Sequence, residues 1–142
     1  MFHVKHIDNS YLNILYKLAL KSYDNGDIPV GAIVIYNYEI IGKGYNNRQK
    51  NNNVCGHAEI NAIKMAENKL GDWRLNDCIL ISTLKPCKMC AEVINTSRIS
   101  EVFYLIDQND VDYDYIFNKI EEKSEITDKI KELMNNFFKN LR

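Results

Sequence analysis

Tyr11, Leu12, Leu15, Leu18, Ala19 and Ser22 recur at the three- and four-residue spacing of one helix face, and Asn25-Gly26-Asp27 follows with residues that tolerate a left-handed turn. The chain therefore opens with an amphipathic helix. The period then shortens. Val30 to Tyr36 is a short β-branched, apolar run, Asn37-Tyr38 can turn, and Glu39 to Tyr45 reads as a second strand, which together predict a hairpin. Asn46 to Gly56 is polar and irregular. From His57 the helical spacing returns at Ile60, Ile63, Ala66 and Leu70, with Gly71 as the stop, and Cys78 to Thr83 reads as a buried strand. Pro86-Cys87 opens another helix, since proline suits a helix entrance, and this helix turns Met89, Val93 and Ile94 inward. Val102 to Ile106 is a fourth strand; Ile126, Ile130, Leu133, Met134, Phe137 and Leu141 mark a closing helix. The predicted order, α-β-β-α-β-α-β-α, is that of an α/β fold. Its hairpin and parallel crossovers share one mixed central sheet, with helices covering both faces as a three-layer α-β-α sandwich.

Length and composition leave that picture intact. The 142 residues amount to about one domain, and 46% hydrophobic with 26% charged residues is a globular balance. No repeat or Pro/Gly/Ser-rich linker divides residues 1–142. The longest apolar run, Ile28 to Tyr36, is about half of what a bilayer crossing needs, and Met1 to Ile7 alternates polar and apolar residues. The expectation is a cytoplasmic protein with no membrane partner. Charge is uneven: residues 1–50 carry six Lys and Arg against four Asp and Glu, residues 51–100 six against five, and residues 101–142 six against ten. No third is a basic arm, so a nucleic-acid partner must meet a local patch rather than a broad positive field.

The chemistry concentrates in His57-Ala58-Glu59 and Pro86-Cys87-Lys88-Met89-Cys90. One imidazole and two thiolates suit Zn²⁺, and three protein ligands leave a fourth position for water. Cys87 and Cys90 share a helix face, and a helix N-terminus favours thiolate over thiol. Glu59 is left over as the proton handler that an activated water requires. Residues two apart point to nearly opposite sides of a helix interior, so His57 and Glu59 converge only at its first turn. The competing readings are a closed structural zinc site completed by Cys55 and a redox C-x-x-C pair; the first leaves Glu59 without a role and the second has no use for His57. Cys55 reads as a loop residue and Cys78 as a small buried hydrophobe. His3 and His6 read as solvent-exposed.

His-Ala-Glu with Pro-Cys-x-x-Cys is the signature of the zinc nucleobase deaminases. The chain further resembles the bacterial tRNA adenosine deaminases in Asp27-Ile-Pro-Val-Gly-Ala, Ile41-Gly-Lys-Gly-Tyr-Asn46, His57-Ala-Glu-Ile-Asn-Ala62, Ser97-Arg98-Ile99 and the C-terminal Phe137-Phe138-Lys139. The resemblance covers about residues 9–106 and the last helix. It implies a cytidine deaminase-like fold, one Zn²⁺ per subunit held by His57, Cys87 and Cys90, and Glu59 as the catalytic acid/base. It implies that Asn46, Val30 and the backbone at Ala58 meet the substrate base. The implied reaction converts the wobble adenosine of an arginine tRNA to inosine in a splayed anticodon loop, performed by a homodimer whose last helix, with Lys139 and Arg142, helps meet the RNA. Arg98 is a further candidate RNA contact. Two positions depart from the family pattern. Lys85 stands where the family has Glu before Pro-Cys, and the segment 104–111 has no glycine where the family carries a Gly-rich stretch with an RNA-approaching Asp; Asp107 or Asp110 is the candidate substitute. Two other functions fit the same residues: deamination of a small nucleoside or base such as cytidine, deoxycytidylate or guanine, and a non-catalytic RNA-binding subunit.

Overall fold

The computed structural model describes residues 7–108 and 111–141, so His3, His6, Asp110 and Arg142 lie outside the described residues. Helix α1 (Asn9–Asp24) begins where the Asp8 carboxylate accepts the Ser10 N–H at 2.9 Å. Strands β1 (Gly31–Tyr36) and β2 (Glu39–Tyr45) form the predicted antiparallel hairpin. Its two linking residues, Asn37 (φ 53°) and Tyr38 (φ 67°), are both left-handed, the conformation whose twist matches that of the flanking strands. After a single-turn helix α2 (Arg48–Asn51) come α3 (Ala58–Leu70), β3 (Cys78–Leu84), α4 (Lys88–Thr96), β4 (Glu101–Ile106), β5 (Asn118–Lys119) and α5 (Glu125–Lys139). At the start of α5, Ser124 and Thr127 cap each other reciprocally.

The five strands lie in the order β2-β1-β3-β4-β5. β1 is antiparallel to both β2 and β3, whereas β3, β4 and β5 run parallel. The sheet is therefore mixed, with a helix layer on each face. Ile33, Ile35, Ile81, Phe103 and Leu105 point toward Leu12, Leu15 and Leu18 of α1 and Ile130 of α5. Alternate residues, among them Ala32, Val34, Leu80 and Val102, point toward Ala62, Ile63 and Ala66 of α3 and Ile94 of α4. This is the α/β sandwich that the hydrophobic pattern predicts.

The differences are local. α2 and β5 are too short to leave a periodic signal, and both fall in stretches the pattern reads as irregular. Met89 and Val93 are only half-buried. Leu70 is exposed at the last residue of α3, and Leu141 is 67% exposed beyond the end of α5, where no neighbouring element reaches to cover it. No helix among the described residues is long and apolar enough to cross a membrane.

Candidate active site

β3 and β4 run parallel and both end beside the turn that starts α4, so the site forms at strand carboxyl ends, where open α/β sheets commonly bind ligands. Two helix entrances meet there. His57 is the N-cap of α3 and Cys87 the N-cap of α4, both in extended backbone conformation and neither spending its side chain on the cap. The imidazole and the thiol are thus free to point away from their helices. Glu59 and Cys90 follow inside the first turns. This placement resolves the opposition of residues two apart: His57 precedes the helical backbone, so it and Glu59 can serve one site.

The ligand atoms of His57, Cys87 and Cys90 lie within 4.8 Å of one another, and Cys87 Sγ stands 3.8 Å from His57 Nδ1. Tetrahedral zinc with its usual Zn–S and Zn–N bonds sets neighbouring ligands about 3.5–3.8 Å apart, so the donor set fits that ion in both chemistry and spacing. Cys55 is exposed in a loop and is not part of the cluster, which leaves the set open on one side. Cys78 is buried and burial pushes its thiol up to about 11, as suits an inert core residue.

Electrostatics single out Cys87 as the anion here. The positive ends of α3 and α4 converge on the cluster. The Cys90 S–H bonds to the Cys87 sulfur and, with help from His57, holds the Cys87 thiol down at about 4; Cys90 is pushed up correspondingly by the same bond and by burial. His57 is raised chiefly by its bond to Cys87. Thiolate character is thus concentrated on Cys87, and a divalent cation bound by the three side chains would displace the protons they hold. Glu59 is 4% exposed, and burial lifts its carboxyl to about 7, with the Cys87 charge adding to the rise.

The α3 entrance is fixed from below. Gly42 and Gly44 of β2 lie directly under α3: a Cβ at Gly42 would run into the Ala62 carbonyl, and one at Gly44 into the Ala58 carbonyl. The Asn46 side chain accepts from the Ala58 N–H at 2.8 Å and donates to the Ile28 carbonyl at 3.0 Å. Its own N–H donates to Ser22 Oγ at 2.8 Å, and Ser22 donates in turn to the Val30 carbonyl at 3.0 Å. Of the residues the resemblance links to substrate, Asn46, Val30 and Ala58 are therefore brought together beside His57, all three buried. The Ala58 N–H is already engaged by Asn46, so the backbone donor at this position faces inward rather than toward a ligand.

The remaining candidates are scattered. Arg98 (φ 65°) follows the far end of α4, where its guanidinium lies 5.2 Å from the ring centroid of Trp73. Lys139 is exposed in the last turn of α5. That end of α5 packs near the end of α1: Phe137 meets Tyr23 edge-on, and Asn140 Nδ2 donates to the Tyr23 hydroxyl at 3.3 Å. Tyr23 follows Ser22, which braces Asn46. Asp107 does not face solvent alone; it pairs with Lys85 at 4.0 Å.

Two residues near the cluster escape sequence reading. Arg48, on α2, acts electrostatically on His57 while its Nε lies 3.8 Å from the buried Asp27 carboxylate. Tyr113 donates its hydroxyl to the Pro86 carbonyl at 2.8 Å, immediately before Cys87. A polar stretch and an isolated tyrosine carry no motif, and only the folded geometry brings them in.

Comparison with known proteins agrees with this geometry. Residues 5–106 match the family described as the cytidine and deoxycytidylate deaminase zinc-binding region. A tRNA-specific adenosine deaminase of Buchnera aphidicola is 33% identical over 147 residues, covering 95% of this chain and 96% of that protein. One of Streptococcus pyogenes is 42% identical over 88 residues, 62% of this chain, and the match spans only 55% of its length. A solved structure from a study of A-to-I editing by tRNA:A34 deaminases at the wobble position of transfer RNA superposes with a TM-score of 0.68 at 31% identity, over 70% of this chain and 77% of the other. A Bacillus subtilis guanine deaminase gives a TM-score of 0.66 at 35% identity, over 72% and 66%. With a buried glutamate beside an open His-Cys-Cys set inside the matched region, the chain belongs to the zinc-binding cytidine and deoxycytidylate deaminase family, among the relatives of the bacterial tRNA adenosine deaminases.

Proposed function

We propose that residues 1–142 act as one deaminase domain that hydrolyses the wobble adenosine of an arginine tRNA anticodon loop to inosine. The observation that carries this reading is Glu59, buried at the first turn of α3 beside His57 and facing the three-residue ligand set. Zn²⁺ held by His57, Cys87 and Cys90 supplies the Lewis acidity that makes water a nucleophile at neutral pH. Glu59 would accept a proton from the attacking water as the water oxygen bonds to the purine C6, and deliver it to the adjacent ring nitrogen. The same carboxylate then takes the proton of the new C6 hydroxyl and passes it to the amino group, whose bond to C6 breaks as the C6 carbonyl forms, so adenosine and water leave as inosine and ammonia. Asn46 keeps one N–H and one oxygen lone pair for the edge of the flipped base, over a floor formed by Val30 and Ala58. Lys139 and Arg142 of the last helix region, and Arg98, are the RNA contacts of this reading.

The name of the Buchnera relative, which matches nearly end to end, supports tRNA as substrate. The protein works in the cytoplasm, as a homodimer, and the half-exposed Trp73 in the groove between α3 and α4 is apolar surface available to a second copy. The similarity to a guanine deaminase, together with exposed Asp112 and Asp114 that would repel phosphate, favours a second reading as a small-base deaminase. Purified, zinc-loaded protein given an arginine tRNA anticodon stem-loop, with free adenosine, cytidine and guanine alongside, separates the two. Inosine confined to the wobble position supports the first reading; turnover of a free base alone replaces it with the second. Glu59→Gln should keep zinc and fold while slowing turnover by about 10²–10⁴-fold, and undiminished turnover would remove Glu59 from its role.

A further inference from the structure

β4 and β5 are parallel neighbours, yet no helix joins them. Such a crossover usually runs through a helix packed on the sheet. Here the return is made by an extended strap in which Val111, Tyr113, Tyr115 and Phe117 are partly buried while Asp112, Asp114 and Ile116 face outward. The three aromatic rings pack mutually as one cluster, with centroids 5.5–6.1 Å apart, and Phe117 packs against the core on the α3 and α4 face. The strap thus lies along α4; Tyr115 also donates to the Glu92 carboxylate of that helix at 3.0 Å.

The residues leading into and along the strap hold the dipeptide before Cys87 at three points. The Lys85 N–H donates to the Ile106 carbonyl at 2.8 Å, the Gln108 side-chain amide donates to the Lys85 carbonyl, and the Tyr113 hydroxyl donates to the Pro86 carbonyl at 2.8 Å. The last bond grips the peptide group whose nitrogen belongs to Cys87. The Lys85 ammonium lies 5.6 Å from the Tyr104 ring centroid and 5.9 Å from that of Tyr113, with Asp107 completing its surroundings. Among the described residues, 85–86 have no other hydrogen-bonded tertiary tether, whereas α4 itself starts only at Lys88. The direction of the Cys87 side chain therefore depends on the turn that the strap holds.

We propose that Tyr113 is a positioning residue for the metal centre: its hydroxyl, at the head of the aromatic strap, fixes the Pro86–Cys87 peptide and so sets Cys87 Sγ relative to His57 and Cys90. The inference rests on the metal-binding reading of those three residues. It assigns the glycine-free segment and Lys85 to one local device, in which the lysine occupies the space between two tyrosine rings and an aspartate. Groups that orient metal ligands typically change metal affinity by about 10–100-fold when removed.

Tyr113→Phe keeps the ring in the aromatic cluster and removes only the hydroxyl. The expected result is Zn²⁺ affinity about tenfold weaker by chelator competition, and a shifted ligand-field spectrum of the Co²⁺-substituted protein, with the thermal midpoint of the metal-free protein lowered no further than in Tyr115→Phe. Tyr115→Phe is the control, since it removes the neighbouring bond to Glu92 on the same strap; it should leave both metal readouts at the wild-type values. Equal Zn²⁺ affinity and superimposable Co²⁺ spectra for Tyr113→Phe and wild type overturn the proposal, as does equal weakening in both variants, which would mean that the strap acts only through general stability. A wild-type chain that takes up no Zn²⁺ overturns the metal reading as well, and so is distinguishable from failure of Tyr113 alone.

Discussion

The two helix entrances that meet at the site are secured in different ways. The entrance of α3 rests on backbone: two glycines of β2 pass beneath Ala58 and Ala62 with no room for a methyl group, and a buried amide ties the first helical N–H to the strand below. The entrance of α4 is held from the side, by the last carbonyl of β4 and by an amide and a phenol from the segment after it. Close backbone packing admits almost no substitution, whereas a side-chain tether can be rebuilt with other residues. The stretches that resemble the bacterial tRNA adenosine deaminases include the first kind of support, and both departures, Lys85 and the glycine-free segment, belong to the second.

The sharpest way to break this contrast is Gly44→Ala. The added methyl meets the Ala58 carbonyl, so α3 must lift from β2; we expect destabilisation of about 3 kcal/mol or more by urea unfolding, and loss of stoichiometric zinc. A variant with wild-type stability would show that the α3 entrance is not clamped. Asn46→Ala comes next. It strands the buried Ala58 N–H and the Ile28 carbonyl, which should cost about 1–3 kcal/mol and weaken zinc binding along with base binding. Retention of full zinc affinity with impaired base binding would confine Asn46 to the substrate. Lys85→Ala tests the other entrance: its pairing with Asp107 is partly solvated, so the loss in unfolding free energy should stay below about 1 kcal/mol. Cys55→Ser should be the mildest, within about 0.5 kcal/mol and with unchanged zinc content, because the thiol is exposed and outside the cluster. A zinc content that falls on this change would restore the closed four-ligand site.

The same contrast explains what could be read from the sequence. Leu12, Leu15, Ile33, Ile63 and Ile130 occupy their predicted buried faces because burial imposes a period that the chain itself displays. His57, Glu59, Cys87 and Cys90 were legible because the metal chemistry restricts residue type and spacing together. Asn46 is expected from the sequence to meet a base edge, and its role as a brace was not legible, since an amide suits a base edge and a backbone N–H equally well. Tyr113 was invisible: in the alternating run Val111 to Phe117 it looks like any strand aromatic, and its partner is a backbone carbonyl, which every residue possesses. Leu141 misled because spacing continues past the point where the fold supplies a surface to cover it.

The strap has a consequence for the order in which the site is made. The bond from Asn46 to Ala58 spans 12 residues, whereas that from Tyr113 to Pro86 spans 27. A chain emerging at about 5–20 residues per second can brace His57 and Glu59 almost as soon as they appear, yet must wait roughly 1–5 s after Pro86 for the residue that steadies Cys87. During that interval the two thiols are present without their final tether. Until Tyr113 arrives the site would hold Zn²⁺ about tenfold more weakly, so its full grip on the ion is completed only with the C-terminal third of the chain.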